Sequence, residues 1–181
     1  MGFHDHGLGS HAQYLRVSER RPIVRIPDGI SFEAAAASME GAHYARNFLR
    51  CVPLKPGDAV LVNGATGAIG SAAIALLKNA GAIVTAVCAE PHRAAVAALG
   101  ADRTIDYLRA PFTAQLEGET FAFVFDAVGK SSFGESRPLL AKTGVYLSSE
   151  LGPRGENPFL ALIAPLMRGP KVRFPVPTDI P

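Results

Sequence analysis

The sequence predicts an α/β fold in which six parallel strands form a doubly wound sheet, preceded by a short lead-in from a β-rich domain. From Val60 onward, apolar strand-like runs alternate with helix-like runs, which is typical of a parallel sheet with helices on both faces. The second and fourth strands are apolar throughout, which indicates burial on both faces. At 181 residues, 48% of them hydrophobic, the chain exceeds the commonest single-domain size and can bury a core.

The individual elements follow from turn residues and local composition. A first βαβ unit consists of a strand at 59–63, an alanine-rich helix at 68–81 and a β-branched strand at 82–88. Pro91 opens the next helix, which ends at Gly100. Further strands are predicted at 102–107, 121–129, 144–149 and 171–177.

The first sixty residues have a different pattern. Residues 9–29 alternate as antiparallel strands do, and residues 31–50 predict a helix with its N-cap at Ser31 and a break at Gly41. We therefore expect residues 1–26 to belong to the end of another domain and residues 27–181 to form the parallel-sheet domain.

Composition excludes several classes of partner. The net charge is only +2, and lysine and arginine are spread along the chain, so we expect neither nucleic acid nor an anionic membrane as a partner. The start lacks the features of a signal peptide, and the longest apolar stretch is far shorter than a membrane span. The sequence predicts a soluble, cytoplasmic protein that binds a small molecule.

Metal and disulfide chemistry have little support in the sequence. Cys51 and Cys88 are far apart and form no CxxC pair, so we expect two reduced thiols. The chain start contains four residues of metal-binding type, His4, Asp5, His6 and His11. Their spacing matches no zinc motif, so no zinc site is expected.

The stretch VLVNGATGAIGSAA, residues 60–73, is the main functional signal. It joins a predicted strand to a predicted helix, so it brings unpaired backbone N–H groups and the positive end of a helix dipole to one place. Gly64 permits a tight turn, Gly67 lets a pyrophosphate approach the backbone, and Gly70 lets the helix pack close to the strand. This context indicates a dinucleotide site, the alternative being a turn that serves packing alone.

Two rival phosphate sites fail on residue identities. The run DAVGKSS ends as a Walker A loop does, but that loop needs glycine where this chain has Val124. A short-chain dehydrogenase needs lysine four residues after its catalytic tyrosine. The four tyrosines are followed at that spacing by Ser18, Phe48, Pro111 and Glu150.

Four segments together carry a resemblance that covers essentially the whole chain: IPDGISFEAAAASMEGAHYA, LKPGDAVLVNGATGAIGSAA, LGADRTIDY and FVFDAVGKSSF. They resemble the zinc-less quinone oxidoreductase branch of the medium-chain dehydrogenase/reductase superfamily. The resemblance implies a Rossmann domain beside a GroES-like catalytic domain, NAD(P)H as cofactor and the reduction of quinones, enones or related carbonyl compounds. It also implies that catalytic-domain segments lie beyond Met1 and Pro181, so the fragment alone would be inactive.

The resemblance and the rule that ligands bind at the carboxyl ends of parallel strands place the cofactor-binding residues. The pyrophosphate is expected at Ala65, Thr66, Gly67, Ala68, Ile69 and Gly70, beside the turn residue Gly64. The adenosine ribose is expected at Cys88, Ala89 and Glu90. The nicotinamide path is expected at Ala127, Val128, Gly129, Ser148 and Ser149, although the two serines have simple strand-end capping as an alternative.

The choice between NAD and NADP depends on the end of the second strand. An acid there would bind the ribose hydroxyls, but the strand ends in Cys88, which favours NADP. His92 and Arg93 can supply positive charge to a 2′-phosphate, and Tyr107 can reach the phosphate or the adenine. Glu90 would repel the phosphate, and the alternative for Arg93 is a solvated residue at a helix start.

Two further polar residues have competing interpretations. Asp126 ends an apolar strand, where a carboxylate is costly without hydrogen bonds, so we expect a partner near the cofactor or a satisfied strand-end cap, and favour the cap. His43 lies where relatives place a residue beside the nicotinamide. It would orient the substrate carbonyl or donate a proton, unless it is merely packed or solvated.

The last predicted strand indicates self-association. Pro175 and Pro177 favour an edge position, and the resemblance implies a homodimer whose two sheets join at residues 172–176. The alternative is a solitary edge protected by its prolines and by Lys171 and Arg173. For the function, the alternative to an oxidoreductase is a non-catalytic NAD(P)-binding module.

Overall fold

The structure is a computed structural model that describes residues 13–14, 16, 18 and 23–175. Its helices and strands, in chain order, are α1 (Phe32–Arg50), β1 (Ala59–Asn63), α2 (Ala68–Asn79), β2 (Ile83–Cys88), α3 (Arg93–Ala98), β3 (Arg103–Asp106), α4 (Phe112–Gln115), β4 (Phe121–Asp126), α5 (Phe133–Ser136), β5 (Leu140–Ser148), α6 (Glu156–Ile163) and β6 (Lys171–Arg173). Short 3₁₀ turns occur at Glu90–His92, Arg137–Leu139, Pro153–Gly155 and Ala164–Leu166.

The six strands form one sheet in the order β3-β2-β1-β4-β5-β6, and every pairing is parallel. This confirms the doubly wound six-stranded sheet that the sequence predicts. Asn63 at the end of β1 pairs with Val87 on one side and with Asp126 on the other, and Asp126 pairs with Ser148. The carboxyl ends of four neighbouring strands therefore meet at one edge.

The core lies on both faces of the sheet because the central strands β1, β2 and β4 are apolar at most of their positions. Val60 and Val62 of β1 pack on the face that α1 and α2 cover, together with Phe48 and Ile74. Leu61, which points the other way, packs on the opposite face with residues that include Leu116, Leu139 and Tyr146. Burial on both faces is what the apolar strands predicted.

Several strand boundaries differ from the prediction. The fourth strand ends at Asp126 instead of residue 129, because the N–H groups of Val128 and Gly129 donate to the Asp126 side chain. The fifth strand begins at Leu140 instead of residue 144, because Ala141 to Gly144 form an irregularity in the pairing of β5 with β4 and not a turn before the strand. The sixth strand ends at Arg173, and Pro175, which has no N–H to donate, follows it outside the ladder. Residues 176 and 177 of the predicted strand lie outside the described residues.

The described part of the lead-in contains no strand, so the antiparallel pattern predicted for residues 9–29 is not seen there. Within 23–29 no residue pairs with the sheet, and Ile23 and Val24 are more than half exposed. The histidines of the chain start lie outside the described residues, and the domain boundary at residue 26 stays a prediction.

The expected helix break at Gly41 is wrong, since α1 runs without interruption from Phe32 to Arg50. A Cβ at Gly41 would overlap the backbone carbonyl of Ala68, the first residue of α2. The glycine therefore permits a close crossing of two helices. The predicted N-cap is confirmed, because the Ser31 Oγ accepts a hydrogen bond from the Ala34 N–H at 3.2 Å.

In the part of the chain that the structure describes, no helix is both long enough and apolar enough to cross a membrane. The cytoplasmic location stays a prediction.

We predict that Gly41→Ala destabilises the fold by about 1–2 kcal/mol, because overpacking at the helix crossing outweighs the gain of about 1 kcal/mol in helix propensity. Urea denaturation with an unchanged m-value measures the change. Gly134→Ala is the matched control, because the nearest atom to a Cβ there is 3.8 Å away. Equal stability of the two variants would contradict the role of the crossing.

Candidate functional site

The glycine turn after β1 has the geometry that its sequence predicts. Gly64 has a φ of 84°, which favours glycine, and the Gly67 N–H donates to the Gly64 carbonyl at 3.1 Å. The Ala65 N–H donates to the Val87 carbonyl at 3.1 Å, which ties the turn to the end of β2. A Cβ at Gly70 would overlap the Gly64 carbonyl, so this glycine permits close packing of α2 on the turn.

The start of α2 contains backbone amides that precede the hydrogen bonds of the helix. The first intrahelical hydrogen bond runs from the Ser71 N–H to the Gly67 carbonyl at 2.9 Å, so the N–H groups of Ala68, Ile69 and Gly70 lie ahead of the helical ladder. No side chain among the described residues caps them. Together with the dipole of a 12-residue helix, these amides form an anion-binding terminus.

Gly67 leaves open space in front of that terminus. A Cβ at this position would meet only the Gly64 carbonyl, at an ordinary contact distance of 3.5 Å, and Thr66, Gly67 and Ala68 are all exposed. The six residues predicted to bind a pyrophosphate, 65–70, therefore have two different roles. The amides of Ala65 and Gly67 hold the turn, and those of Ala68, Ile69 and Gly70 precede the hydrogen bonds of the helix.

Asp126, at the end of β4, is fully buried and is the centre of a hydrogen-bond network. Its six donors are Asn63 Nδ2 (3.1 Å), the Ser131 Oγ (3.1 Å), the Tyr146 hydroxyl (3.0 Å) and the backbone N–H groups of Val128 (3.3 Å), Gly129 (3.0 Å) and Ser131 (3.2 Å). Burial, followed by the charge of Asp126, raises the pKa of Tyr146, so the phenol stays a donor. The favoured strand-end cap is what the structure contains.

A cleft of about 520 Å³ opens beside the glycine turn, between the segment after β3 and the loop after β4. Four of its lining residues, Gly64, Thr66, Tyr107 and Val128, are predicted site residues. The sequence interpretation missed Pro111, Phe112, Thr113, Lys130, Ser131 and Glu135, and also Asn63 and Val87. The first three could have been found by applying the strand-end rule to the third strand, whereas Lys130 and Ser131 were considered only as a Walker A ending.

At the end of β2, the predicted ribose-binding residues lie in two environments. Cys88 and Ala89 are buried, and burial raises the pKa of the Cys88 thiol, which keeps it neutral at pH 7. Glu90 begins the 3₁₀ turn, and both of its carboxylate oxygens lie 3.1 Å from Arg93 Nη1. The Arg93 Nε donates to the Thr104 Oγ1 on β3 at 2.8 Å.

The loop after β5 contains the two predicted serines. The buried Ser148 Oγ accepts from the Glu150 N–H at 3.2 Å, which is the capping role that the sequence left open. The Ser149 Oγ is buried with no hydrogen-bond partner among the described residues, as is the Asn157 Oδ1. An unsatisfied hydroxyl at the end of a central strand is available to a ligand.

His43 lies on α1, partly buried, with its Nε2 3.4 Å from Asn47 Nδ2 and its ring edge-on to Tyr44 at 5.7 Å. The described residues that line the cleft include none from α1. A catalytic role for His43 therefore stays a prediction. In the described chain, no group of three or more metal-ligating side chains comes together.

A parallel sheet in the order β3-β2-β1-β4-β5-β6, with a glycine turn after its central strand, defines the class as a Rossmann fold. The family model described as zinc-binding dehydrogenase matches residues 68–172. The chain belongs to this family and, within the medium-chain dehydrogenase/reductase superfamily, to the quinone oxidoreductase-like branch.

Known proteins of several kinds are similar to this chain. A quinone oxidoreductase of Pseudomonas aeruginosa is 31% identical over 147 residues, which cover 78% of this chain and 45% of that protein. Erythronolide synthase EryA2 of Saccharopolyspora erythraea is 33% identical over 143 residues, 74% of this chain and 4% of that protein.

Solved structures give the same result. The quinone oxidoreductase of Pseudomonas syringae pv. tomato DC3000 superposes with a TM-score of 0.68 at 31% identity, over 85% of this chain and 49% of that one. The quinone oxidoreductase of Coxiella burnetii superposes with a TM-score of 0.70 at 25% identity, over 84% of this chain and 47% of that one. The chain thus spans about half the length of the quinone oxidoreductases that it matches.

We predict that Asp126→Asn destabilises the fold by about 2–3 kcal/mol, because an amide NH₂ would face the Ser131 N–H where a carboxylate oxygen now accepts. Tyr146→Phe is the graded comparison and should cost about 1 kcal/mol, because it removes one of six donors. Chemical denaturation of both variants measures the difference. A smaller loss for Asp126→Asn than for Tyr146→Phe would contradict the central position of the carboxylate.

Proposed function

We propose that this chain is the cofactor-binding domain of an NAD(P)H-dependent oxidoreductase that transfers a hydride to a quinone, an enone or a related carbonyl compound. The observation that carries the proposal is the glycine turn, which presents the free amides of α2 beside a cleft at the carboxyl ends of β1, β2 and β4. The similarity to the solved structures of two quinone oxidoreductases supports the reaction class.

Each group of residues at the carboxyl ends of the strands then has a role in binding the cofactor. The amides of Ala68, Ile69 and Gly70 hold the pyrophosphate, and Gly67 leaves room for it. The cleft between Tyr107 and the loop after β4 receives the adenosine end. When bound, NAD(P)H supplies the hydride.

The nicotinamide end lies, in this proposal, along Ala127, Val128 and Gly129, whose loop is fixed by Asp126. Ser149 offers its unpaired Oγ to the nicotinamide end. His43 orients the substrate or donates a proton. On the resemblance to the zinc-less branch, we propose that the reaction uses no zinc.

For the cofactor, we propose that NADPH is favoured over NADH. The neutral thiol of Cys88 stands where an acid would bind the ribose hydroxyls, and Arg93 lies near the end of the same strand.

A non-catalytic NAD(P)-binding module is the second candidate. The observation in its favour concerns His43 on α1, the one predicted catalytic residue. His43 is not among the described residues that line the cleft. Quinone-dependent oxidation of NADPH by the parent protein would decide for the oxidoreductase, whereas cofactor binding without turnover would decide for the module.

We predict that Gly67→Val weakens NAD(P)H binding at least about tenfold, because its side chain would occupy the approach of the pyrophosphate. The backbone of Gly67 is extended, with φ −74° and ψ 165°, so valine fits without strain. Fluorescence titration measures the affinity, and Gly134→Val is the size-matched control outside the turn. Unchanged affinity in a folded Gly67→Val variant would remove the central claim.

We also propose a homodimer that joins the β6 edges of two chains. β6 is an edge strand of the sheet, as the sequence predicts, and Phe174 next to it is partly exposed. Val172 is fully buried, so its side chain belongs to the core of one chain and not to a seam. The backbone of β6 and the side chain of Phe174 would therefore form the contact.

For the dimer, we expect sedimentation equilibrium to give a dimeric wild type and a monomeric Phe174→Lys variant, because lysines would face each other across the two-fold axis. Leu108→Lys is the matched control, since Leu108 is 69% exposed and follows β3, the other edge strand. A monomeric wild type, or a Phe174→Lys variant that still dimerises, would refute the proposal.

A further inference from the structure

Three side chains beyond the end of β2 and on β3 form a small polar assembly, the Glu90–Arg93–Thr104 triad, of which the proposed function uses only Arg93. The guanidinium of Arg93 lies between the other two, 3.1 Å from both oxygens of Glu90 and 2.8 Å from the Thr104 Oγ1. Glu90 and Arg93 are each about half exposed, at 52% and 48% of their side-chain surface. A ligand can therefore reach the ion pair and replace one of its two partners.

The triad lies where a ribose would be recognised. The hydrogen bond from Ala65 to Val87 joins the turn to the end of β2, and Glu90 follows that strand after two residues. Glu90 thus lies two residues beyond Cys88, the strand end at which dinucleotide folds place the acid that binds the ribose hydroxyls. Thr104 belongs to β3, whose register places it beside Ala86 of β2.

The acid and the base of the triad favour different cofactors. A carboxylate accepts hydrogen bonds from the ribose diol of NADH, whereas an arginine accommodates the 2′-phosphate of NADPH. In this chain both oxygens of Glu90 lie on Arg93 Nη1, so a 2′-phosphate must displace Glu90 to bind that nitrogen. It would then lie close to a second negative charge that stays in the site.

We propose that Glu90 sets the preference between the two cofactors by competing with a 2′-phosphate for Arg93. This inference rests on the proposed function, because it assumes that the glycine turn binds NAD(P)H. Thr104 holds the guanidinium in place during the exchange, since its hydroxyl binds Nε and leaves Nη1 to either anion. Glu90 therefore lowers the affinity for NADPH without being needed for NADH.

The test compares the affinities of the full chain for NADPH and NADH in four proteins by fluorescence titration. Glu90→Gln should bind NADPH about tenfold more tightly than the wild type, and its affinity for NADH should change by less than about threefold. Adding Arg93→Ala to Glu90→Gln should abolish the gain. Glu119→Gln is the matched control, because it frees Arg103 from a similar exposed pair at 2.8 Å and should change neither affinity.

Three results would overturn the inference. An unchanged affinity of Glu90→Gln for NADPH would show that Glu90 does not compete, and a gain that survives Arg93→Ala would assign the phosphate to another base. A loss of NADH affinity without a gain for NADPH would make Glu90 a ribose ligand. A wild type that binds neither cofactor would instead refute the proposed function, and this inference with it.

Discussion

The buried carboxylate of Asp126 is the interaction on which the carboxyl edge of this sheet depends. A charge removed from water is tolerated only when its oxygens are hydrogen-bonded, and here the donors come from β1, from β5 and from the loop after β4. These hydrogen bonds offset the cost of removing the Asp126 carboxylate from water. They also connect β1, β4 and β5 and fix the loop after β4, which forms one wall of the cleft.

The glycines complete this arrangement by removing side chains where elements come closest. Gly70 brings α2 onto the turn, and Gly41 brings α1 onto the first residue of α2. The turn is therefore held from the sheet by the Ala65–Val87 hydrogen bond and from the helices by direct backbone contact. A site fixed in this way loses little conformational freedom when it binds a ligand, which favours affinity.

Much of the fold could be predicted because its signals are local. The apolar run of β4 and the glycine turn each specify their structure within a few residues. Gly41 was misread, since only the contact with Ala68 shows that it serves a crossing. The cost of burying Asp126 could be foreseen from its strand, but its donors Asn63 and Tyr146 lie far away in the sequence.

The candidate site was predicted less completely for the same reason. Glu90 and Arg93 were considered separately, as opposing influences on one phosphate, and only the structure shows that they bind each other. Phe112 and Lys130 line the cleft because two loops from different crossovers converge, which no local pattern records.

The all-parallel sheet has a further consequence for how the chain folds. Each parallel pairing needs a long crossover connection before it can form, so such sheets fold slowly. A ligand that binds at the ends of β1, β2 and β4 together binds only the folded chain and therefore stabilises only the folded state.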